Sequence, residues 1–288
     1  MDNYDIFENS LYKHVETLRQ NFAAANTRFL KVHLASEMVC SLFDQLFSNE
    51  FKADHDRLSD SCEKMMLFGV YHSWTYSYIL NAAAISDIGM ISLRRAIEFT
   101  CYISKTHKSD DRAAIWRNQA TDSKVQKKFK SLYSVPQAYF KEKYRYLRSL
   151  LVFHDMISIS ATHANFDMIA PKLVTSTDIH RFDMSFQDRV TDIPLMIGAT
   201  LTAGCLILDA LIAILNDSLS YSTRFKESLS NLNQVFREAR IELANYKYQG
   251  NIPKELIDMI QNDIKTGDID EYFEKLKSRY ETKIPENK

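Results

Sequence analysis

Long stretches of the chain contain no residue that would end a helix. Residues 8–50 include neither glycine nor proline, and their apolar residues recur at spacings of three and four. The whole chain of 288 residues has only 6 glycines and 5 prolines, which argues against a turn-rich β architecture. Apolar spacing of this kind is typical of amphipathic helices. The sequence therefore predicts an all-α fold.

One apolar segment predicts where the helices meet. Residues Ile193–Leu215 are apolar apart from Asp209 and a few hydroxyl groups. The segment is long enough to span a bilayer, but a carboxylate inside it would cost roughly 3 kcal/mol on insertion scales. We therefore expect a buried helix rather than a transmembrane span. The predicted architecture is a multi-helix bundle around residues 193–215, with helices near 94–103 and 139–162 packed beside it.

The sequence divides into two predicted parts and indicates an intracellular protein. We expect a main helical bundle over residues 1–217 and a C-terminal helical extension over 218–288 that packs on it or projects from it. The N-terminus is acidic and has no apolar run, so we expect no secretory signal. The four cysteines are far apart, which indicates reduced thiols in the cytoplasm rather than disulfides. They are Cys40, Cys62, Cys101 and Cys205.

Several motifs of known chemistry are missing from the sequence. It contains no glycine-rich phosphate loop, no His-Glu-x-x-His and no paired Cys-x-x-Cys. His154 and His163 are nine residues apart and would point to opposite faces of a helix, which makes them a poor metal pair. We therefore expect no metal, no cofactor and no membrane association.

Charge is distributed unevenly along the chain. Residues 1–63 carry a net charge of −5, whereas residues 105–148 carry 12 Lys and Arg against 4 Asp and Glu, with aromatic residues between them. Cations interleaved with flat rings suit a phosphate backbone with unstacked bases. This pattern predicts RNA binding by Lys127, Lys128, Lys130 and Arg145. The alternative is a solvated surface whose charge pairs with the acidic N-terminal third.

An arginine shortly before a histidine suggests phosphodiester chemistry in two places. Arg148 precedes His154 by six residues, and Arg28 precedes His33 by five. Arginine can hold a phosphate and stabilise its developing charge, and histidine can exchange a proton near neutral pH. We predict Arg148 and His154 as the catalytic pair. Because six helical residues place these two side chains about 120° apart, a neighbouring helix or a second copy in a homodimer would have to bring them together.

A second polar group lies in otherwise apolar sequence. Arg94 and Arg95 stand one helical turn before Glu98. We expect these residues, with Asp155 and His163, to form the polar floor of a cleft; the alternative is a buried ion pair that ties two helices together. We also expect His163 to be buried beside Arg94 and Glu98, and His154 to be accessible.

The helix "ISLRRAIEFTCYISK", the polar stretch after it and the Tyr-rich helix that ends in serine and histidine resemble a known group of proteins. The group consists of uncharacterised bacterial helical proteins that are similar to HEPN-type bundles and occur beside phage-defence and toxin–antitoxin genes. The likeness covers roughly residues 70–215. It implies metal-independent RNA binding and cleavage by a homodimer. The alternative from the residues is a non-catalytic module that binds another protein.

Overall fold

The computed structural model describes residues 3–54, 56–135, 147–160, 173–175, 182–184 and 193–247. Within these residues the chain is almost entirely helical, which confirms the predicted all-α class. The helices are α1 (Asn3–Arg28), α2 (Leu30–Gln45), α3 (Leu58–Ala82), α4 (Ser86–Thr106), α5 (Asp110–Arg117), α6 (Ser123–Tyr133), α7 (Arg148–Ser160), α8 (Ile193–Leu215) and α9 (Thr223–Lys247).

Short elements complete the described chain. A π-helical turn, Leu46–Glu50, continues α2, and a 3-10 turn, Asn216–Ser218, follows α8. Two three-residue strands, β1 (Leu173–Thr175) and β2 (Phe182–Met184), pair antiparallel with Val174 opposite Asp183.

Helix α8 lies at the centre of the bundle, where the apolar segment predicted it. It packs against α2, α3, α4, α7 and α9. Trp74 on α3 donates a hydrogen bond to the carbonyl of Thr200 at 2.9 Å. Gly204 makes this contact possible, because a Cβ there would lie 2.5 Å from the Trp74 indole nitrogen. The glycine therefore lets the largest buried ring approach the central helix.

The central helix is also the one described segment that is long and apolar enough to cross a membrane. The segment runs over Ile193–Ser218, and half of its most apolar window is buried within the bundle. Asp209, the acidic residue within α8, lies at an exposed position. The buried core helix of a soluble protein has the same length and composition.

Helices α3 and α4 form an antiparallel hairpin. Their contact is the most extensive among the described helices. Gly69 lies under the ring of Phe99, which would be 2.7 Å from a Cβ at that position. The connecting turn places Ala84 at φ 65°, a backbone conformation that is costly for a residue with a side chain. Close packing of the two helices holds this turn.

Helix α9 belongs to the predicted C-terminal extension and packs along α2. Lys31 forms an ion pair with Glu238 at 2.6 Å, and the Glu242 carboxylate accepts a hydrogen bond from the backbone N–H of Val32 at 3.0 Å. The described part of the extension therefore lies on the main bundle. The proposed boundary at residue 217 stays a prediction.

Candidate functional site

A polar cluster joins α4 to α7. On α4, Arg94 Nε lies 3.0 Å from Glu98 Oε1, one helical turn away. The imidazole of His154 approaches both, with Nε2 3.3 Å from Arg94 Nε and 3.4 Å from Glu98 Oε1. These three side chains and the neighbouring Asp155 are hereafter called the Arg94–His154 cluster.

Helix α7 fixes the other side of the imidazole ring. His154 Nδ1 lies 3.4 Å from Asp155 Oδ1, so each ring nitrogen faces a carboxylate. Ser158 donates a hydrogen bond to the carbonyl of His154 at 2.6 Å. Leu150 and Ile157 are buried on the same helix and anchor it in the core. The ring is therefore positioned by the packing of α7 as well as by its polar partners.

Exposure varies sharply within the cluster. The side chain of His154 is 7% exposed, whereas those of Arg94, Glu98 and Asp155 are 30%, 27% and 54% exposed. The expectation that His154 is accessible is wrong, because α7 turns this residue inward against α4. Solvent reaches the cluster through the arginine and the two carboxylates.

The carboxylates favour the charged form of the buried histidine. Burial of the ring lowers the pKa of His154, but hydrogen bonds from the ring to Asp155 and Glu98 outweigh it, so the pKa lies above its usual value of 6.5. For Glu98, burial raises the pKa, yet His154 and Arg94 together hold it below 4.5. Both groups are therefore held in their charged forms around pH 5 to 6.

The protonation state of His154 decides which hydrogen bonds form. When the imidazole is charged, Nε2–H donates to Glu98 and Nδ1–H donates to Asp155, while Arg94 bonds to Glu98. When it is neutral with the proton on Nδ1, Nε2 accepts from Arg94 Nε. One nitrogen cannot do both at once. The cluster therefore couples the position of Arg94 to a single proton.

A basic helix lies next to this cluster. Helix α6 begins with a cap in which the Asp122 carboxylate accepts from the N–H of Lys124 at 2.6 Å. The opposite side of the helix packs on α4, where the Phe129 ring meets that of Tyr102 at 5.8 Å. Tyr102 is one turn beyond Glu98 on α4. The exposed lysines of α6 are Lys124, Lys127, Lys128 and Lys130.

The structure separates the other residues that the sequence singled out. Arg148 is exposed at the start of α7, and the arginine that contacts His154 is Arg94. Arg95 is exposed on α4, and its expected place in the polar floor stays a prediction. A helix turns adjacent residues about 100° apart, which is why Arg94 and Arg95 face different directions. His163 and Arg145 lie outside the described residues.

The second arginine–histidine pair does not converge. Arg28 ends α1 with its guanidinium over the ring of Tyr246, 4.8 Å from the centroid. His33, on α2, stacks on Tyr78 with ring centroids 6.3 Å apart. Arg28 instead borders an open cleft of about 1180 Å³ between the end of α1, α7, α8 and the end of α9.

A second histidine–glutamate contact was not predicted from the sequence. His107 Nδ1 lies 3.1 Å from Glu63 Oε2 where α4 ends, and Glu63 Oε1 accepts from the backbone N–H of Lys108 at 3.3 Å. The two residues are 44 positions apart on different helices, and no local spacing signals them. Among the residues that the structure describes, no group of three His, Cys, Asp or Glu is arranged to hold a metal ion.

Comparison with known proteins adds no relative. No protein-family model matches the chain, and no curated protein or solved structure matches it significantly.

Proposed function

We propose that the protein binds single-stranded RNA and cleaves it without a metal at the Arg94–His154 cluster. The observation that carries the proposal is the set of contacts around the buried His154. Its Nε2 faces both the Glu98 carboxylate and the Arg94 guanidinium, and its Nδ1 faces the Asp155 carboxylate. Arginine, a protonated imidazole and a carboxylate are the groups that phosphodiester transfer needs. Arg94 takes the role that the sequence assigned to Arg148.

The chemical step follows from the charges. The Glu98 carboxylate accepts the proton of the ribose 2′-hydroxyl, whose oxygen forms a bond to phosphorus. The bond from phosphorus to the 5′ oxygen breaks, and that oxygen takes the proton from His154 Nε2. Arg94 turns from the cluster to the phosphate and neutralises its charge. The products are a 2′,3′-cyclic phosphate and a 5′-hydroxyl.

The basic helix α6 supplies the binding surface for the RNA backbone. Lys127, Lys128 and Lys130 are exposed, and Phe129 between them fixes the helix to Tyr102 beside the cluster. Each phosphate contact releases counterions, so the binding constant falls as salt rises. Replacing all three lysines by alanine lowers the slope of log K against log salt by about 2, at roughly 0.7 per contact on a single strand.

Cleavage is tested with end-labelled single-stranded RNA in excess EDTA. We expect cleavage by the parent and loss of cleavage in His154→Gln, Glu98→Gln and Arg94→Lys. Arg95→Lys is the matched control, because it makes the same change one residue away on the exposed side of α4. No cleavage by the parent, or equal rates in Arg94→Lys and Arg95→Lys, would rule out this site.

The burial of His154 supports a second candidate function. With 7% of its side chain exposed and partners on two helices, the histidine can serve as a brace between α4 and α7 in a non-catalytic module that binds a protein. In that case His154→Gln lowers the melting temperature and the parent cleaves no RNA. Salt-independent association with a partner protein favours this function.

The resemblance to HEPN-like bacterial proteins supports a role in phage defence or a toxin–antitoxin system in the cytoplasm. Expression of the parent chain in bacteria is then expected to slow growth or limit phage infection. Expression of His154→Gln at the same level should do neither.

A further inference from the structure

The outer face of the α3–α4 hairpin exposes an unusual amount of apolar side chain. From Met65 to Ser86 the sequence has no Asp, Glu, Lys or Arg, although this stretch includes most of α3 and part of that helix faces solvent. Charged residues normally cover the exposed side of a surface helix. Six large apolar side chains between 37% and 61% exposed lie on these two helices: Met65, Phe68, Tyr76, Ile79, Ile88 and Ile91.

The exposed residues of α3 follow the spacing of a helix-packing seam. Met65, Phe68, His72, Tyr76 and Ile79 are separated by three, four, four and three residues, an average of 3.5. This is the repeat with which one helix packs against another along its length. The rings also form a continuous row, with Phe68 and His72 centroids 4.2 Å apart and His72 and Tyr76 centroids 5.8 Å apart.

Helix α4 extends the surface toward the Arg94–His154 cluster. Ile88, Ile91 and the exposed Arg95 lie on one side of α4. Phe99, at the seam with α3, connects this side to the row of rings through its contact with Gly69. The hairpin therefore presents two parallel helical rows on one rigid face.

We propose that two copies of this chain associate through the outer face of the α3–α4 hairpin. The six apolar side chains expose on the order of 500 Å², which is toward the upper end of the roughly 300–600 Å² of the largest apolar patch on a typical monomer, and patches of that size are often functional. Half-buried neighbours in the same rows, including Tyr71, Thr75 and Phe99, extend the face toward the roughly 800 Å² per partner of a standard interface.

The lack of charged residues on this side of α3 favours a second copy as the partner. In a two-fold dimer the same surface patch meets itself, and residues near the axis meet their own copies, so a charge near the axis meets a like charge. On α3 between Met65 and Ala82 there is no such charge. Arg95, at the border, can lie over an aromatic ring of the partner. The four helices then form an antiparallel packing of two hairpins, and the proposal is independent of RNA cleavage.

Light scattering on the purified full chain at micromolar concentrations tests the proposal. The parent should have twice the 33.5 kDa mass of one chain. Tyr76→Glu combined with Ile91→Glu should be monomeric, because the glutamates bring like charges without partners into the apolar interface. The matched control is Leu34→Glu, at a 44% exposed apolar position on α2, which should remain dimeric.

Other outcomes would overturn this assignment. A monomeric parent, including one that floats with lipid vesicles, would exclude a dimer on this face. A dimeric Tyr76→Glu, Ile91→Glu variant, or a monomeric Leu34→Glu control, would place the interface elsewhere. If the double variant does not give a helical circular dichroism spectrum, Ile88→Lys replaces it, since this side chain is 51% exposed and its change leaves the core intact.

Discussion

In the part of the chain that the structure describes, two histidine–glutamate contacts join helices, and they differ in which partner is buried. At the end of α4 the carboxylate is inside: the Glu63 side chain is 1% exposed and that of His107 is 16% exposed. Between α4 and α7 the imidazole is inside: His154 is 7% exposed and Glu98 is 27% exposed. The first contact ties a loop to the core, and the second presents its acid to solvent.

The difference shows which contact is open to solvent. Glu63 accepts hydrogen bonds from His107 and from the backbone of Lys108, which has φ 57°, so the carboxylate fixes the turn after α4. In the Arg94–His154 cluster, Arg94 and Glu98 face outward over the buried ring. A buried acid that holds backbone is suited to stability, whereas a buried imidazole behind exposed charges is suited to proton transfer.

The largest expected difference between the two contacts is in RNA cleavage. His154→Gln should lower the cleavage rate by about 10²- to 10⁴-fold, since it removes the proton donor. His107→Gln should leave the rate unchanged. Single-turnover rates on the same labelled RNA make the comparison, and a comparable fall in both variants would show that neither histidine is specific to the chemistry.

For folding stability, the larger effect is expected at the contact between Glu63 and His107. Glu63→Ala should lower the free energy of unfolding by about 1–3 kcal/mol, because it leaves the N–H of Lys108 and the His107 ring without their buried acceptor. Glu98→Ala should cost less, because Arg94 is partly exposed to water and His154 keeps the Asp155 carboxylate as an acceptor. Urea unfolding of both variants measures the difference. A larger loss in Glu98→Ala would make the Arg94–His154 cluster the main brace.

The sequence predicted the fold better than it predicted the site. The apolar pattern located the central helix at residues 193–215, because a helix buried on most sides needs apolar residues on most sides. The site depends on which arginine reaches His154. Arg148 is near it in sequence, but Arg94 is near it in space, because α4 packs against α7. Spacing within one helix carries no information about that contact.

The burial of His154 also follows from the packing of α4 against α7, which the sequence does not reveal. The sequence identified Arg94, Glu98 and Asp155 from their charges, and all three belong to the cluster around His154. The sequence assigned the buried position to His163, which lies outside the described residues, and the accessible position to His154, which is buried. Only the packing of α7 against α4 decides that the His154 side of α7 is covered.

The Arg94–His154 cluster should also give folding stability a pH dependence of its own. We expect this effect to be smaller than the two effects above. The pKa of His154 is raised in the folded state, so its contribution is fully present below about 6.5 and is lost as pH rises through the higher folded value. The lowered pKa of Glu98 makes its contribution present above 4.5 and lost as pH falls through the lower folded value.

The parent should therefore exceed His154→Gln in melting temperature by the largest margin between pH 4.5 and 6.5. Melting curves of both proteins from pH 4 to pH 9 measure that margin. A margin that grows above pH 7 would mean that the folded protein holds His154 neutral.

The smallest expected effect tests whether Asp155 tunes the histidine. The Asp155 side chain is 54% exposed, so Asp155→Asn should change the free energy of unfolding by less than about 0.5 kcal/mol. Its hydrogen bond to Nδ1 nevertheless helps to raise the pKa of His154. The alkaline limb of the cleavage pH profile, where His154 loses its proton, should therefore move to lower pH. Asp111→Asn, an exposed change on α5, is the matched control and should leave the profile in place. An unchanged profile in Asp155→Asn would leave Glu98 as the carboxylate that sets the proton affinity of the site.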